Sequence, residues 1–284
     1  GTSKGIVHDT MSLLSNARSV IETTNLGEYR QFLVCQQYHY TSAVCHFLAA
    51  YELKTNLYIS GKASLAKEYI SLVNSIRPDF CGGSPLQMMW MAKSTLDVAA
   101  SPRGFFSSGD DLPSGVVEAL LNRFPDSHVY AVYGMTEVGG RGCIHAIQRG
   151  QKTASVGRTI RGLNVRLEGT DENGVGEVGF SGNYLMKGLY VESQYTQYTQ
   201  QEHEVLSGDV GYLDEDGDLN LIGRSDDVYK VSGKKVSGVV IARALKRLAG
   251  VSDVHVAFER DDLVGHIPNA YIVLGSPHTR ADVI

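Results

Sequence analysis

The sequence predicts an α/β protein: a parallel-sheet α/β subdomain, then a mainly antiparallel β subdomain, then a small partial α+β C-terminal lid. Three observations predict it. Short apolar runs alternate with helical spacing before residue 150, helical spacing vanishes over 150–223, and it returns after residue 224. The domains expected are therefore 1–149, 150–223 and 224–284. Charge follows a similar partition. Residues 1–167 carry 16 basic and 12 acidic side chains, residues 168–222 carry one and 12, and residues 223–284 carry nine and seven. An acidic segment between two mildly basic ones marks a change of structural unit, or simply a stretch of solvated turns.

The elements follow in order. Met11, Leu14, Ala17 and Ile21 repeat at helical spacing, with Asp9 or Thr10 placed to cap the helix. Residues 32–34 and 57–59 read as short buried strands flanking a helix near 42–52. Leu65, Tyr69, Leu72, Val73 and Ile76 fall on one face of a further helix. Ser114 is placed to cap a helix that turns Val117, Leu120, Leu121 and Phe124 to a core, and 129–132 returns as a strand. Strands alternating with helices imply parallel βαβ units. Beyond residue 150, strands at 165–167, 177–181, 211–213 and 219–222 are separated by Gly/Asp/Asn turns, and 194–201 reads as a polar loop. Asp214-Glu215-Asp216-Gly217-Asp218 looks like the start of a calcium loop, but Leu219 stands where that loop needs glycine, so a hairpin turn is expected. The lid reads as a helix over 237–249 ended by Gly250, then strands at 254–258 and 270–274.

Composition narrows the function. A net charge of −5 over 284 residues argues against a nucleic-acid or membrane-surface binder. The four cysteines form no CxxC pair, so neither a zinc knuckle nor a disulfide framework is indicated. No apolar run reaches the roughly 18–20 residues of a membrane span and no signal-peptide pattern opens the chain, so a cytoplasmic protein is expected. Glycine is abundant, at 31 residues, and it gathers in places that suggest chemistry.

Gly1-Thr2-Ser3-Lys4-Gly5 leads toward the first helix with glycines, hydroxyls and an ammonium, a composition suited to a phosphate, although a Lys-Gly turn before a helix is common. Tyr133-Gly134-Met135-Thr136-Glu137 follows a strand and precedes Gly139-Gly140. There glycine admits close approach, Thr136 donates to an oxygen, and Glu137 offers a hard ligand for magnesium. A capped loop without function fits that piece equally well. No spacing assigns a Ser-His-Asp constellation, which disfavours a hydrolase.

Taken with SGD at 207–209 and GRSDD at 223–227, these motifs resemble the adenylate-forming superfamily of acyl- and aryl-CoA synthetases, peptide-synthetase adenylation domains and luciferase. GTSKGIVHDT is similar to that family's phosphate loop, with Ser3 in place of the usual proline. SSGDDLP, with Gly109 and Asp110, resembles its adenine segment, and YGMTE its YGxTE signature. The resemblance implies that Tyr133 stacks on adenine beside Gly134 and Met135, that Thr136 meets the α-phosphate, that Glu137 holds magnesium, and that Lys4 serves catalysis. It further implies Asp209 on the ribose hydroxyls, Arg224 on the ribose–phosphate side, Asp226 as a hinge, and Ser232-Gly233 along a thiol tunnel. Aligned on the acyl pocket are Tyr38-His39-Tyr40 and Gly83-Ser84, the latter followed by Met88, Met89 and Trp90, which core packing explains better than a pocket wall does.

The activity implied is ATP- and Mg2+-dependent adenylation of an aryl or short acyl carboxylic acid, releasing pyrophosphate. The acyl group then passes from AMP to coenzyme A, a carrier-protein phosphopantetheine arm or another nucleophile. The alternative is a catalytically incomplete homologue that binds an adenylate or acyl ligand. By the same resemblance, family members carry a longer region before the phosphate loop and a catalytic lysine in the lid. The sequence is thus expected to be the central portion of a longer enzyme.

Overall fold

The computed structural model describes residues 4–61, 63–150, 155–198 and 204–275. Residues 1–3 of the phosphate-loop motif lie outside the described residues. The chain divides into two compact units, one of residues 1–165, 180–205 and 217–219, the other of 166–179, 206–216 and 220–284.

The first unit opens with β1 (Lys4–Val7), α1 (Thr10–Thr23), β2 (Gln31–Val34), α2 (Thr41–Leu53), β3 (Asn56–Ile59) and α3 (Ala66–Ile76). It continues through β4 (Phe80–Gly83), α4 (Pro85–Lys93), β5 (Gly104–Ser108), α5 (Ser114–Arg123), β6 (His128–Tyr133), β7 (Cys143–Ile147) and β8 (Ser155–Thr159). The strands lie in the order β3-β2-β4-β5-β6-β7-β8. Those from β3 to β6 are parallel, while β7 and β8 are antiparallel to their neighbours. Parallel strands need crossovers, and the intervening helices supply them.

Alternation along each parallel strand builds two cores. Leu33, Cys81, Phe105 and Val129 pack with Tyr69, Val73, Met88, Met91, Val117 and Leu120 of α3, α4 and α5. The residues alternating with them carry an aromatic row on the other face: the Phe32–Phe80, Phe80–Phe106 and Phe106–Tyr130 centroids lie 4.6, 5.7 and 5.4 Å apart. His46 of α2 joins that row, 5.7 Å from both Phe80 and Phe106. A Cβ on Gly82 would sit 2.7 Å from its Nε2, so only glycine leaves the imidazole room.

Several local expectations need correction. β3 is an edge strand beside β2 alone, which leaves Tyr58 and Ile59 exposed rather than buried. Leu65 is the exposed N-cap of α3, not part of its inner face. Ser114 does not cap α5: Pro113 precedes the helix, and its carbonyl accepts from Val116 and Val117. Asp9 does cap α1, accepting the Ser12 N–H at 2.7 Å.

The later chain forms β9 (Leu163–Glu168), β10 (Gly176–Gly182), β11 (Gly188–Val191), β12 (Gln194–Gln197), β13 (Glu204–Leu213) and β14 (Leu219–Arg224). Strands β14-β13-β10-β9 are neighbours in that order, and β11 lies between β1 and β12 in a separate antiparallel sheet. Residues 4–7 and 194–197 are therefore strands where loops were expected; pairing with β11, which periodicity over four residues cannot foresee, satisfies their backbones. The 214–218 segment is the expected turn: Asp214 accepts the Asp216 N–H at 3.2 Å, and Gly217 has φ +80°.

In the second unit β15 (Val228–Val231) and β16 (Lys234–Ser237) form a hairpin closed by Ser232 and Gly233, both at positive φ as a two-residue primed turn requires. Then follow α6 (Gly238–Lys246), β17 (Val251–Asp261) and β18 (Gly265–Leu274). The last two strands pair over nearly their whole length, well beyond the expected segments.

Candidate active site

The loop after β6 is folded around its glycines. Thr136, Glu137 and Val138 make one 3-10 turn, then Gly139 and Gly140 take φ +77° and +92°. The Met135 carbonyl accepts the Gly140 N–H at 2.9 Å, and the Tyr133 carbonyl accepts the Gly142 N–H at 2.9 Å. A Cβ on Gly134 would stand 2.5 Å from the Gly140 carbonyl oxygen, so residue 134 must be glycine for the loop to close.

Lys4 reaches this loop from β1. Its Nζ lies 2.5 Å from Oε1 of Glu137, a buried carboxylate facing a half-exposed ammonium. The Met186 N–H donates 2.8 Å to the Glu137 carbonyl, and the Lys187 N–H donates 2.7 Å to that of Val7. The Thr136 hydroxyl bonds the Thr41 hydroxyl at 2.8 Å, at the start of α2. The Thr136 carbonyl accepts from Nε2 of His8 at 2.6 Å, which fixes the proton on that nitrogen. Burial holds His8 below its ordinary pKa, and its buried Nδ1 meets no partner among the described residues. Asn16 on α1 donates to the carbonyls of Val138 and Arg141 at 3.2 and 2.9 Å, pinning the far side of the loop.

The structure thus brings Lys4, Tyr133, Gly134, Met135, Thr136 and Glu137 together around one loop at the C-terminal end of a parallel strand, where open α/β sheets place their ligands. Gly109, at φ +99°, and Asp110 follow β5 and are exposed, with open space where a Gly109 Cβ would point.

A family model described as "AMP-binding enzyme" matches residues 1–190. The chain belongs to that family. It is 23% identical to the probable CoA ligase CCL5 of Humulus lupulus, across 96% of this chain and 52% of that protein. It is 24% identical to 4-coumarate–CoA ligase 3 of Oryza sativa subsp. japonica, with the same shares covered. O-succinylbenzoate coenzyme A synthetase (MenE) from Bacillus subtilis in complex with AMP superposes with TM-score 0.80 and 18% identity, covering 100% of this chain and 60% of that one. The same enzyme with ATP and magnesium ion gives TM-score 0.78 at 18% identity, covering 97% and 58%. The chain spans about half the length of the curated relatives it matches.

The family's magnesium suits what stands here. Glu137 is a buried hard-oxygen donor that already faces a cation in Lys4. Among the described residues no three His, Cys, Asp or Glu side chains converge.

The remaining expected residues sit as follows. In the second unit, Arg224 donates from Nη1 to Asp209 at 3.0 Å and to the Ser207 carbonyl at 3.1 Å. A Cβ on Gly208 would meet that guanidinium at 2.8 Å. Asp226 lies in a single exposed 3-10 turn, Ser225–Asp227. In the first unit, His39 is exposed and packs 4.7 Å from the Tyr40 ring. Ser84 precedes α4, its N–H donating to Gln87 Oε1 at 2.8 Å, while Gln87 Nε2 donates to the Cys35 carbonyl at 2.6 Å. Gly83 leaves space for that glutamine, since a Cβ there would overlap Oε1. Met88 is fully buried and Met89 partly exposed, so the methionines divide between core and surface.

Sequence reasoning missed Arg141, Thr41 and Asn16. For Arg141 a signal existed: a lone cation between glycines at the start of a buried strand, in Gly139-Gly140-Arg141-Gly142-Cys143.

Proposed function

We propose that this chain supplies the nucleotide- and acid-handling part of an enzyme that adenylates a carboxylic acid and passes the acyl group to coenzyme A. The observation that carries this reading is the Lys4–Glu137 contact, with the Thr136 hydroxyl on the same glycine-closed loop. An acid carboxylate attacks the α-phosphorus of ATP, an acyl–phosphate bond forms, and pyrophosphate leaves. The thiol sulfur then attacks the acyl carbon and AMP leaves. Little covalent chemistry falls to the protein; alignment and charge balance do most of the work.

In this reading Thr136 donates to an α-phosphate oxygen, and Lys4 swings from Glu137 toward phosphate as the nucleotide enters. Glu137 would hold magnesium, and the ion would supply charge neutralisation for the phosphates. Tyr133 stacks on adenine beside Gly109, Asp110, Gly134 and Met135. Asp209 and Arg224 take the ribose side, and Asp226 is the hinge. Ser232-Gly233 lines the thiol's path, and His39, Gly83 and Ser84 border the acyl group. A carrier-protein arm as the alternative acceptor, independence from nucleic acid and a cytoplasmic location belong to the same proposal. The names of the relatives, which specify coumarate and succinylbenzoate, support an aryl acid.

The test is acid-dependent exchange of labelled pyrophosphate into ATP by the full-length protein across aryl and fatty acids. Exchange with at least one acid is expected. None with any acid overturns adenylation and returns the binding-module alternative.

A further inference from the structure

Arg141 is only 2% exposed, yet no carboxylate pairs with it among the described residues. Its Nη2 donates to the Ser42 hydroxyl at 2.9 Å, to the Ser42 carbonyl at 3.3 Å and to Nε2 of His46 at 3.1 Å. The guanidinium carbon lies 5.6 Å from the Phe106 ring centroid. Because His46 accepts through Nε2, its proton is on Nδ1 and the ring is neutral. Burial, then the guanidinium itself, hold His46 well below its ordinary pKa. Burial likewise keeps the neighbouring Cys45 a thiol. Ser42 continues to the Ser108 hydroxyl at 3.0 Å. The one carboxylate of this loop, Glu137, is engaged by Lys4.

The cluster therefore holds a full positive charge among neutral dipoles, an arrangement folding alone disfavours. α2 makes it more positive still. Its N-cap, Tyr40, makes no side-chain cap bond, so the positive end of the helix opens beside Ser42. Tying α2 to the 139–142 loop would require only a neutral donor. The partners also belong to a particular place. Ser42 follows the His39 segment, and His46 packs on Gly82, next to Gly83. The His39 and Gly83 segments are those proposed for the acyl wall, and Thr41, just before Ser42, bonds Thr136 of the loop proposed for the α-phosphate, so the cluster adjoins both.

We infer that Arg141 receives a second carboxylate on the acid itself, remote from the one that reacts, so that the substrate class is a dicarboxylic acid. The inference rests on the adenylation reading for what the first carboxylate does, but the anion subsite stands or falls by itself.

The test is titration calorimetry on the AMP-loaded full-length protein with two matched pairs, terephthalate against 4-methylbenzoate and adipate against hexanoate. In each pair the wild type is expected to bind the diacid about 10–100-fold more tightly, the range of a charge-assisted hydrogen-bonded pair. Arg141→Met should collapse that ratio toward one, and Arg141→Lys should keep part of it. A ratio taken on one preparation is unmoved by partial unfolding, which removes binding of both acids alike. A wild-type ratio near one for both pairs, or a ratio unchanged in Arg141→Met, overturns the inference. So does an Arg141→Met variant that weakens ATP and leaves the acid ratio intact, because the guanidinium would then serve the nucleotide. Pyrophosphate exchange with the same acids separates the two claims. Exchange without diacid preference leaves adenylation standing and removes the subsite. Arg141-dependent diacid binding without exchange does the reverse.

Discussion

A buried carboxylate needs a cation, and Glu137 meets that need with Lys4 at 2.5 Å. If the same oxygen later serves magnesium, Glu137→Gln should lower pyrophosphate exchange by the full-length protein roughly 100-fold, the scale of losing one electrostatic contact to a transition state. Exchange within twofold of wild type would remove Glu137 from the reaction. The two histidines near this loop set a pH dependence. His8 and His46 are both held below the ordinary value of 6.5, first by burial. The unfolded chain thus takes up protons below about pH 6.5 that the folded chain refuses, so stability is full above that pH and falls as pH drops through it. The loss approaches about 1.4 kcal/mol per pH unit for a group kept wholly neutral. That limit belongs to His46, since His8 is only partly buried. Urea midpoints at pH 7.5 and 5.5 measure it; His46→Asn should flatten the difference, and an unchanged difference would clear His46. Of the residues in this site, Thr136 and Glu137 were legible because a hydroxyl and a carboxylate after a strand announce themselves. Arg141 was not. Its meaning lies in what fails to surround it, which no spacing records.

At the scale of elements, caps and close approaches can be tested one by one. Asp9→Ala removes the acceptor for the Ser12 N–H at the start of α1 and should cost about 1 kcal/mol in urea unfolding. No change would mean that neighbouring groups or water replace the cap. Gly134→Ala forces a Cβ against the Gly140 carbonyl, so it should open the loop and weaken AMP binding while the far-ultraviolet signal stays native. Native-strength AMP binding would show that the loop tolerates opening. The same scale explains what the sequence could reveal. α1, α2 and the strands β2 and β6 declare their existence through apolar spacing, but not always the face they bury: α1 buries Ser12, Asn16, Ala17, Ser19 and Val20 and leaves Met11 exposed. β1, β12, β15 and β16 are four-residue strands defined by the partner they pair with, so nothing local marks them. Leu57, Tyr58 and Ile59 are apolar and suggest a buried strand for β3, yet burial depends on a neighbour that local sequence does not supply.

For the molecule as a whole, the hinge proposal concerns the exposed turn Ser225–Asp227. Asp226→Pro in the full-length protein should slow thioester formation more than pyrophosphate exchange, because fixing one φ restrains rotation without touching the Thr136 loop. Thioester formed at the wild-type rate would end the hinge role. The edge strand β3 carries a consequence of a different kind, for handling at the bench. It exposes Tyr58 and Ile59, and its Leu57 lines one surface hollow with Phe47 and Tyr51 of the preceding helix. Unpaired backbone beside such side chains is a template for intermolecular strand pairing. A sample of these 284 residues alone should therefore associate as it is concentrated, and a single lysine at position 58 should raise its solubility limit.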